Sequence, residues 1–469
     1  MAFISSLISV AEPSGVWISI IKAFEAVTNN YVLAVIFLTV VIRLAWGLVD
    51  LVTKFNTQRM SEINSKLQPE LDIIKNKYQN QPNLLQQKQN ELYKKHYGKS
   101  YYAGCLVTML IMALNMFIFF TLFSGLNTMS SYKITANYDN IKYTYANCLN
   151  VANKYWEDEN IELVDKQEVF KDYENLRFSI KTDENNKKSV ILTYLNNEVE
   201  TELYQIDYKD SFSETVNVEP SEENPEGTVV ISTNENIIKL IDKYFPTYEE
   251  GEEEGSKEVI IGYQSVENED GTEQKQPIYL SSVLSKALNK KIVEVYDQTQ
   301  EKFLWIQNIW IADSPFNKSI ISYDKLRSQV IKNYIQEGEE TIYNAFMPGL
   351  KEERSKANGY FILLILIIVS SLLSVFITKY YNKRRRIKKG LPEPETKGKG
   401  QMSQIIIPVL FGFFALLYNS VFAIYMLIGQ VVSCVLTVPQ LMFVDWLYNK
   451  INSKKEKTGL DSVDYSRKF

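Results

Sequence analysis

The chain has 469 residues, a formal net charge of -5 and 45% hydrophobic residues, averages that would suit a soluble protein of several domains. Their distribution excludes that reading, because the apolar residues fall in a few long runs near the two ends while the middle is polar, acidic and rich in Asn, Glu and Tyr. Three cysteines and one histidine argue against a disulfide framework, a zinc site or a histidine-based triad.

The first 30 residues open with MAFISSLISVAEPSG, which has no positively charged leading region and only a short, serine-interrupted apolar stretch, so a cleaved signal peptide is not expected. Val16 to Val27 mixes Trp, Ile and Phe with Lys22 and Glu25, as an interfacial helix would. The first membrane span is expected over 31–52. Its run YVLAVIFLTVVIRLAWGLV contains one charge, Arg43. A guanidinium stays ionised at physiological pH, and holding it mid-bilayer costs about 3 kcal/mol on insertion scales. Arg43 is therefore expected to face water or an anion, with snorkelling to the headgroups as the alternative.

Residues 53–100 read as an antiparallel helical hairpin, with Ile63, Leu67, Leu71 and Ile74 at spacings of three or four in the first arm. Asn80 to Asn83 make its turn, because Pro82 can begin a helix but not continue one, and Pro69 should kink or divide the first arm. A solvated polar linker is the other reading of this stretch. The second span is expected over 101–126. It is followed by a polar domain over 127–358, read as α+β: Ser189 to Tyr208 and Gly227 to Thr233 suggest strands, and Asn236 to Tyr244 and Leu280 to Glu301 suggest helices. The run EEGEEEGSKE, Glu249 to Glu258, lacks the alternating ligand spacing of a calcium loop and is expected to be a mobile, solvating loop.

A third span over 359–379 leads to a basic loop, 380–403, that carries KRRRIKK. Spans four (404–418) and five (421–447) flank Tyr418, Asn419 and Ser420, a sequence suited to a tight turn, so they form a helical hairpin or else one re-entrant segment. A basic tail, 448–469, closes the chain. Lys and Arg concentrate in the hairpin, the basic loop and the tail, which places those three in the cytoplasm, and five spans then put the N-terminus and the acidic domain outside. The fold class expected is thus an α-helical polytopic membrane protein with a cytoplasmic helical hairpin and an α+β extracellular domain inserted between spans two and three.

This order of parts resembles the YidC/Oxa/Alb family of membrane protein insertases. LAVIFLTVVIRL (Leu33 to Leu44) looks like the family's arginine-bearing span, and KLQPEL (Lys66 to Leu71) and ELYKKHYGKS (Glu91 to Ser100) look like its hairpin. AGCL (Ala103 to Leu106) is similar to the entry of its next span, and FLWIQNIWIADSPF (Phe303 to Phe316) to the stretch before its third core span. There are departures. Val107 stands where a proline usually follows Cys-Leu, and Met112, Ala113 and Leu114 replace Gln-Met-Pro. The last hairpin keeps only Asn419, Ser420 and Ile424 to Leu427, and the long outer segment is a short loop in typical members.

The resemblance implies a divergent bacterial plasma-membrane insertase with a five-span core, no cofactor and no enzymatic step. Arg43 would charge a groove that receives the polar tail of a newly made membrane protein, and the substrate's span would then pass into lipid. The candidate slide comprises Met109, Met112, Met116, Phe117, Phe120 and Phe411, with helix packing or lipid contact as the alternative role. Asn115, Ser370, Ser371, Ser374, Gln430 and Ser433 are candidate groove-lining polar residues, or else interhelical hydrogen-bonding groups. Lys75, Lys77, Lys94, Lys95, Arg384, Arg385 and Arg386 are candidates for contact with ribosome or lipid. The partners implied are nascent membrane proteins, the ribosome and anionic lipids, with the Sec translocon and an extracellular partner of the inserted domain as further candidates. A membrane-anchored receptor or sensor is the rival function; it accounts for the acidic domain but leaves Arg43 and the hairpin without roles.

Overall fold

The computed structural model describes residues 11–97, 100–196, 199–217, 228–248, 252–253, 255–267, 273–390, 406, 409–410, 412–413 and 415–457, with the side chains of 62–66, 96–105, 452 and 454–457 left out. In chain order the elements are α1 (Val16–Thr28), α2 (Tyr31–Lys77), α3 (Pro82–Tyr97), α4 (Ser100–Glu157), α5 (Leu163–Lys171), β1 (Leu176–Thr182), β2 (Lys188–Asn196), β3 (Val199–Asp207), β4 (Glu214–Asn217) and β5 (Thr228–Ile231). Then come α6 (Thr233–Tyr244), β6 (Ile260–Glu267), β7 (Glu273–Tyr279), α7 (Leu280–Thr299), α8 (Tyr323–Gln329), α9 (Glu339–Phe346), α10 (Lys351–Ser355), α11 (Ile362–Lys388) and α12 (Ser420–Lys457). They group into a span unit of residues 14–127, 311–315 and 359–469, and an α+β unit of residues 1–13, 128–310 and 316–358.

In the span unit, α1 ends on Asn29, whose left-handed backbone (φ 51) donates its N–H to the Glu25 carbonyl. The next residue, Asn30, caps α2 by accepting from the Leu33 N–H at 3.0 Å. Among the described residues four helices are long and apolar enough to cross a membrane, lying within Tyr31–Ser61, Leu106–Glu157, Ile362–Lys388 and Ser420–Ile451. Of the expected span over 404–418, residues 406, 409–410, 412–413 and 415–417 are helical, and Gly412 lies against Ile368 and Leu364 of α11; residues 404–405, 407–408, 411 and 414 lie outside the described residues. Leu67 and Leu71 of α2 bury against Leu92 of α3, flanked by Met60, Ile74 and Tyr93. Pro69 does not divide α2, which runs unbroken to Lys77. A proline removes one helical hydrogen bond, and the leucines on either side of it, Leu67 and Leu71, are both held by the α3 seam.

A short irregular segment, 311–315, ties the starts of two spans together. Asp313, 2% exposed, accepts the Tyr360 N–H at 2.8 Å through Oδ1 and the Leu363 N–H at 2.7 Å through Oδ2. It thereby caps α11, whose own N-cap residue, Phe361, makes no side-chain cap. Gly359 is required beside it, since a Cβ there would lie 1.9 Å from Asp313 Oδ1. Ser420, at the first turn of α12, donates through Oγ to the Ile311 carbonyl at 2.6 Å. At the other end of the same helices, Asp445 of α12 accepts from Gln58 Nε2 of α2 at 2.7 Å and from Tyr381 Oη of α11 at 2.8 Å, and it pairs with Arg385 at 2.6 Å.

The α+β unit contains an antiparallel meander, β1-β2-β3, and two two-stranded ribbons, β4-β5 and β6-β7. Central β2 buries Val190, Ile191 and Leu192, so residues on both of its faces are covered. The expected strand run Ser189 to Tyr208 thus resolves into a hairpin, with a register shift at Leu192/Thr193. The helix expected over Asn236 to Tyr244 starts three residues earlier, because Ser232 accepts the Glu235 N–H and caps it. The helix expected over Leu280 to Glu301 ends at Thr299, and the helix that carries the second apolar span does not stop at 126: α4 continues to Glu157. Its later turns belong to the α+β unit, where Tyr143 to Ala146, Cys148 and Leu149 are buried. Of the acidic run over residues 249–258, residues 249–251 and 254 lie outside the described residues.

Within that unit Lys142 and Glu339, 5% and 1% exposed, form an ion pair at 2.7 Å. Asn234 completes the network, accepting from Lys142 Nζ at 2.7 Å and donating to Glu339 Oε2 at 2.6 Å. A buried, fully bonded triad that joins α4, α6 and α9 is sensitive to the loss of any one member.

Two stability outcomes follow from these caps and pairs. Asp313→Ala strands two helix-start N–H groups and should cost about 1–3 kcal/mol, read as a lower unfolding temperature of the detergent-purified protein; Asp313→Asn should retain part of the loss. Glu339→Ala leaves a buried lysine unpaired and should cost roughly 3–5 kcal/mol, visible as protease sensitivity of the α+β unit. An unchanged proteolysis pattern would mean that the triad carries no such weight.

Candidate functional site

Arg43 lies on α2 among apolar residues, and the helix determines which neighbours the guanidinium meets. It opens onto a cavity of about 410 Å³ formed by α2, α4 and α12, together with Tyr418 just before α12. The polar lining is Arg43, Asn115 and Gln430; the remainder is Met116, Phe119, Phe120, Phe123, Tyr418, Phe422, Tyr425 and Met426. The rings pack on one another: Phe123 meets Tyr418 at 4.5 Å and Phe422 at 4.8 Å between centroids, and Phe119 meets Phe422 at 5.7 Å. These edge-to-face contacts make a stiff wall.

Within that wall the guanidinium is poorly satisfied. Arg43 Nε is buried and has no hydrogen-bond partner. Among the described residues no carboxylate forms an ion pair with it; Asp50, two turns further along α2, senses its charge only at longer range. Arg43 as a whole is half-buried, but a buried N–H without a bonded partner is costly, and an anion or water entering the cavity offsets that cost. Two glycines let α2 and α12 approach here. A Cβ on Gly429 of α12 would sit 2.8 Å from both Nε and Nη2 of Arg43, and one on Gly47 of α2 would sit 3.0 Å from Gln440 Nε2. Gln440 in turn donates to the Gly47 carbonyl at 2.9 Å and accepts from Lys54 Nζ.

Of the polar residues expected at the groove, the structure brings Asn115 and Gln430 to Arg43's cavity and leaves the serines out of its lining. Ser370 donates to the Ile367 carbonyl at 3.1 Å and Ser433 to the Gly429 carbonyl at 2.8 Å, both within their own helices. Ser371 is buried with its hydroxyl unbonded, and Ser374 is half-buried on α11. Of the expected slide, Met116 and Phe120 line the cavity, while Met109, Met112 and Phe117 lie 65–72% exposed on α4. Phe411 lies outside the described residues. The basic residues separate in the same way: Lys75, Lys77, Lys94, Lys95 and Arg384 are exposed, whereas Arg385 pairs with Asp445 and Arg386 donates to Ser61 Oγ at 3.4 Å.

Sequence reasoning missed the aromatic wall and Gly429. The wall had a legible signal, since Tyr418, Phe422 and Tyr425 recur at steps of four and three, as Phe119 and Phe123 do at four. Gly429 had none, because a glycine in an apolar helix has many uses. No group of three or more His, Cys, Asp or Glu that could hold a metal occurs among the described residues.

Residues 23–164 match the family model described as 60Kd inner membrane protein, so the resemblance to the YidC/Oxa/Alb family holds over the first two spans and the hairpin between them. Membrane protein insertion is the general role that accompanies this family. No curated protein and no solved structure matches the chain.

Proposed function

We propose that the chain is a membrane protein insertase whose working site is the Arg43 cavity. The observation that carries this reading is a half-buried arginine whose Nε is buried and unbonded, at a cavity of about 410 Å³ that is otherwise mostly aromatic. The polar, preferably acidic, tail of a nascent membrane protein supplies the missing anion. In surroundings of low dielectric its attraction to Arg43 is several times what it would be in water. Asn115 and Gln430 offer amide hydrogen bonds to the tail's backbone as it loses water.

The substrate's apolar segment then follows the exposed face of α4, from Phe120 and Met116 to Met112 and Met109, into lipid. Unbranched methionines adapt to differing side chains, which suits a surface that must serve many sequences. The driving force is partitioning, at about 25 cal/mol per Å² of apolar surface removed from water. What the protein lowers is the barrier to moving polar groups through an apolar layer.

The topology that fits this role has the hairpin, the basic loop and the C-terminal tail in the cytoplasm, and the α+β unit outside. Exposed Lys75, Lys77, Lys94, Lys95 and Arg384 are then on the side that meets ribosomal RNA or anionic headgroups. Arg385, engaged with Asp445, serves the packing of α11 on α12 instead.

Arg43→Ala should leave the protein folded and in the membrane while impairing insertion of reporters with acidic translocated tails more than that of reporters with uncharged ones. Full activity on the acidic reporters would rule this mechanism out. Photocrosslinkers placed at Met112 and Met116 should capture ribosome-stalled nascent chains only when those chains carry an apolar segment; equal capture of polar chains would remove α4 from the exit path.

A further inference from the structure

We infer that Gly429 is a positioning residue for Arg43: by having no side chain it lets the guanidinium lie against α12 and holds it at the cavity, so it sets how strongly the site takes an acidic tail. This rests on the reading of the cavity given above and goes beyond it by assigning a determinant on the opposite helix. The three heavy atoms nearest to a Cβ built on Gly429 all belong to the Arg43 guanidinium, with Nε and Nη2 at 2.8 Å and Cζ at 3.2 Å. A methyl group cannot occupy that space unless something moves. What moves is the end of a flexible side chain, not backbone, so the helices keep their packing while the charge shifts. A displaced charge is a weakened one, because its attraction to an anion falls with distance and with access to water.

Its neighbours support the same role. Gln430, the next residue, lines the cavity beside Arg43. Ser433 returns its hydroxyl to the Gly429 carbonyl at 2.8 Å, which occupies an acceptor that could otherwise attract the guanidinium away from the cavity. On α2, Gly47 makes the reciprocal concession to Gln440 and Leu436 of α12, so the crossing is held by a second close contact when the first is altered. Gly429 is thus placed to act on the position of one charge, and not on the existence of the helix pair.

The test is a double-mutant cycle in the full-length chain reconstituted in vesicles, with two nascent reporters that differ only in whether the translocated tail is acidic or uncharged. Gly429→Ala should lower acidic-tail insertion roughly threefold or more, Arg43→Ala by at least as much, and the double variant no further than Arg43→Ala, with uncharged-tail insertion lowered less by each. Wild-type behaviour of Gly429→Ala on the acidic tail, losses that multiply in the double variant, or an equal loss on both tails would overturn the inference while leaving the cavity reading intact. An inert Arg43→Ala would instead overturn the cavity reading, and the inference with it. If Gly429→Ala accumulates poorly in the membrane, the double variant, relieved of the contact, should recover; equal loss from both would mark a packing role and overturn the inference.

Discussion

A guanidinium placed inside an apolar helix is the constraint around which the span unit is organised. A guanidinium is costly to leave in lipid, and among the described residues Arg43 meets a cavity rather than a bonded counter-ion. A permanent ion pair would stabilise the resting protein and leave nothing for a substrate to do. On the function proposed above, a cavity in which Nε remains unbonded keeps that interaction for an incoming anion. The aromatic wall serves the same end, since rings that brace one another keep the space from collapsing onto the charge.

Maintaining such a space requires firm helix ends. Asp313 accepts two N–H groups at the start of α11, and Ser420 ties the start of α12 to the Ile311 carbonyl, so both spans are referred to one short segment. Asp445 gathers Gln58, Tyr381 and Arg385 from α2 and α11 at the far end. Between these two polar clamps the helices need few polar contacts of their own, and the middle is left open for Arg43. The α+β unit is built on other terms, with a conventional core around β2 and α7 and a buried Lys142–Asn234–Glu339 triad.

Much of the architecture was legible because it depends on local rules. The apolar runs, the turn at Pro82 and the Leu67–Leu71 seam all read directly from spacing, and α1, α2, α3, α6 and α7 form within a few residues of where that spacing places them. Pro69 shows where such rules give way: the propensity to break a helix is a few kcal/mol at most, less than a well-packed seam can hold. The continuation of α4 to Glu157 was illegible for a related reason, since its apolar surface ends near the expected boundary but its helical hydrogen bonding does not.

Sequence by itself determined that this chain has membrane-spanning helices, that one of them carries a charge needing an explanation, and that a cationic hairpin and an α+β domain accompany them. These are consequences of hydropathy, charge and period, which act along the chain. Tertiary structure decided which residues meet that charge: Asn115 and Gln430 rather than the serines of α11, an aromatic wall drawn from α4 and α12, and a glycine at position 429 where any side chain would collide. Such choices depend on how two helices cross and at which residue, a matter of fractions of an ångström between segments nearly 400 residues apart in sequence, and no local pattern encodes it.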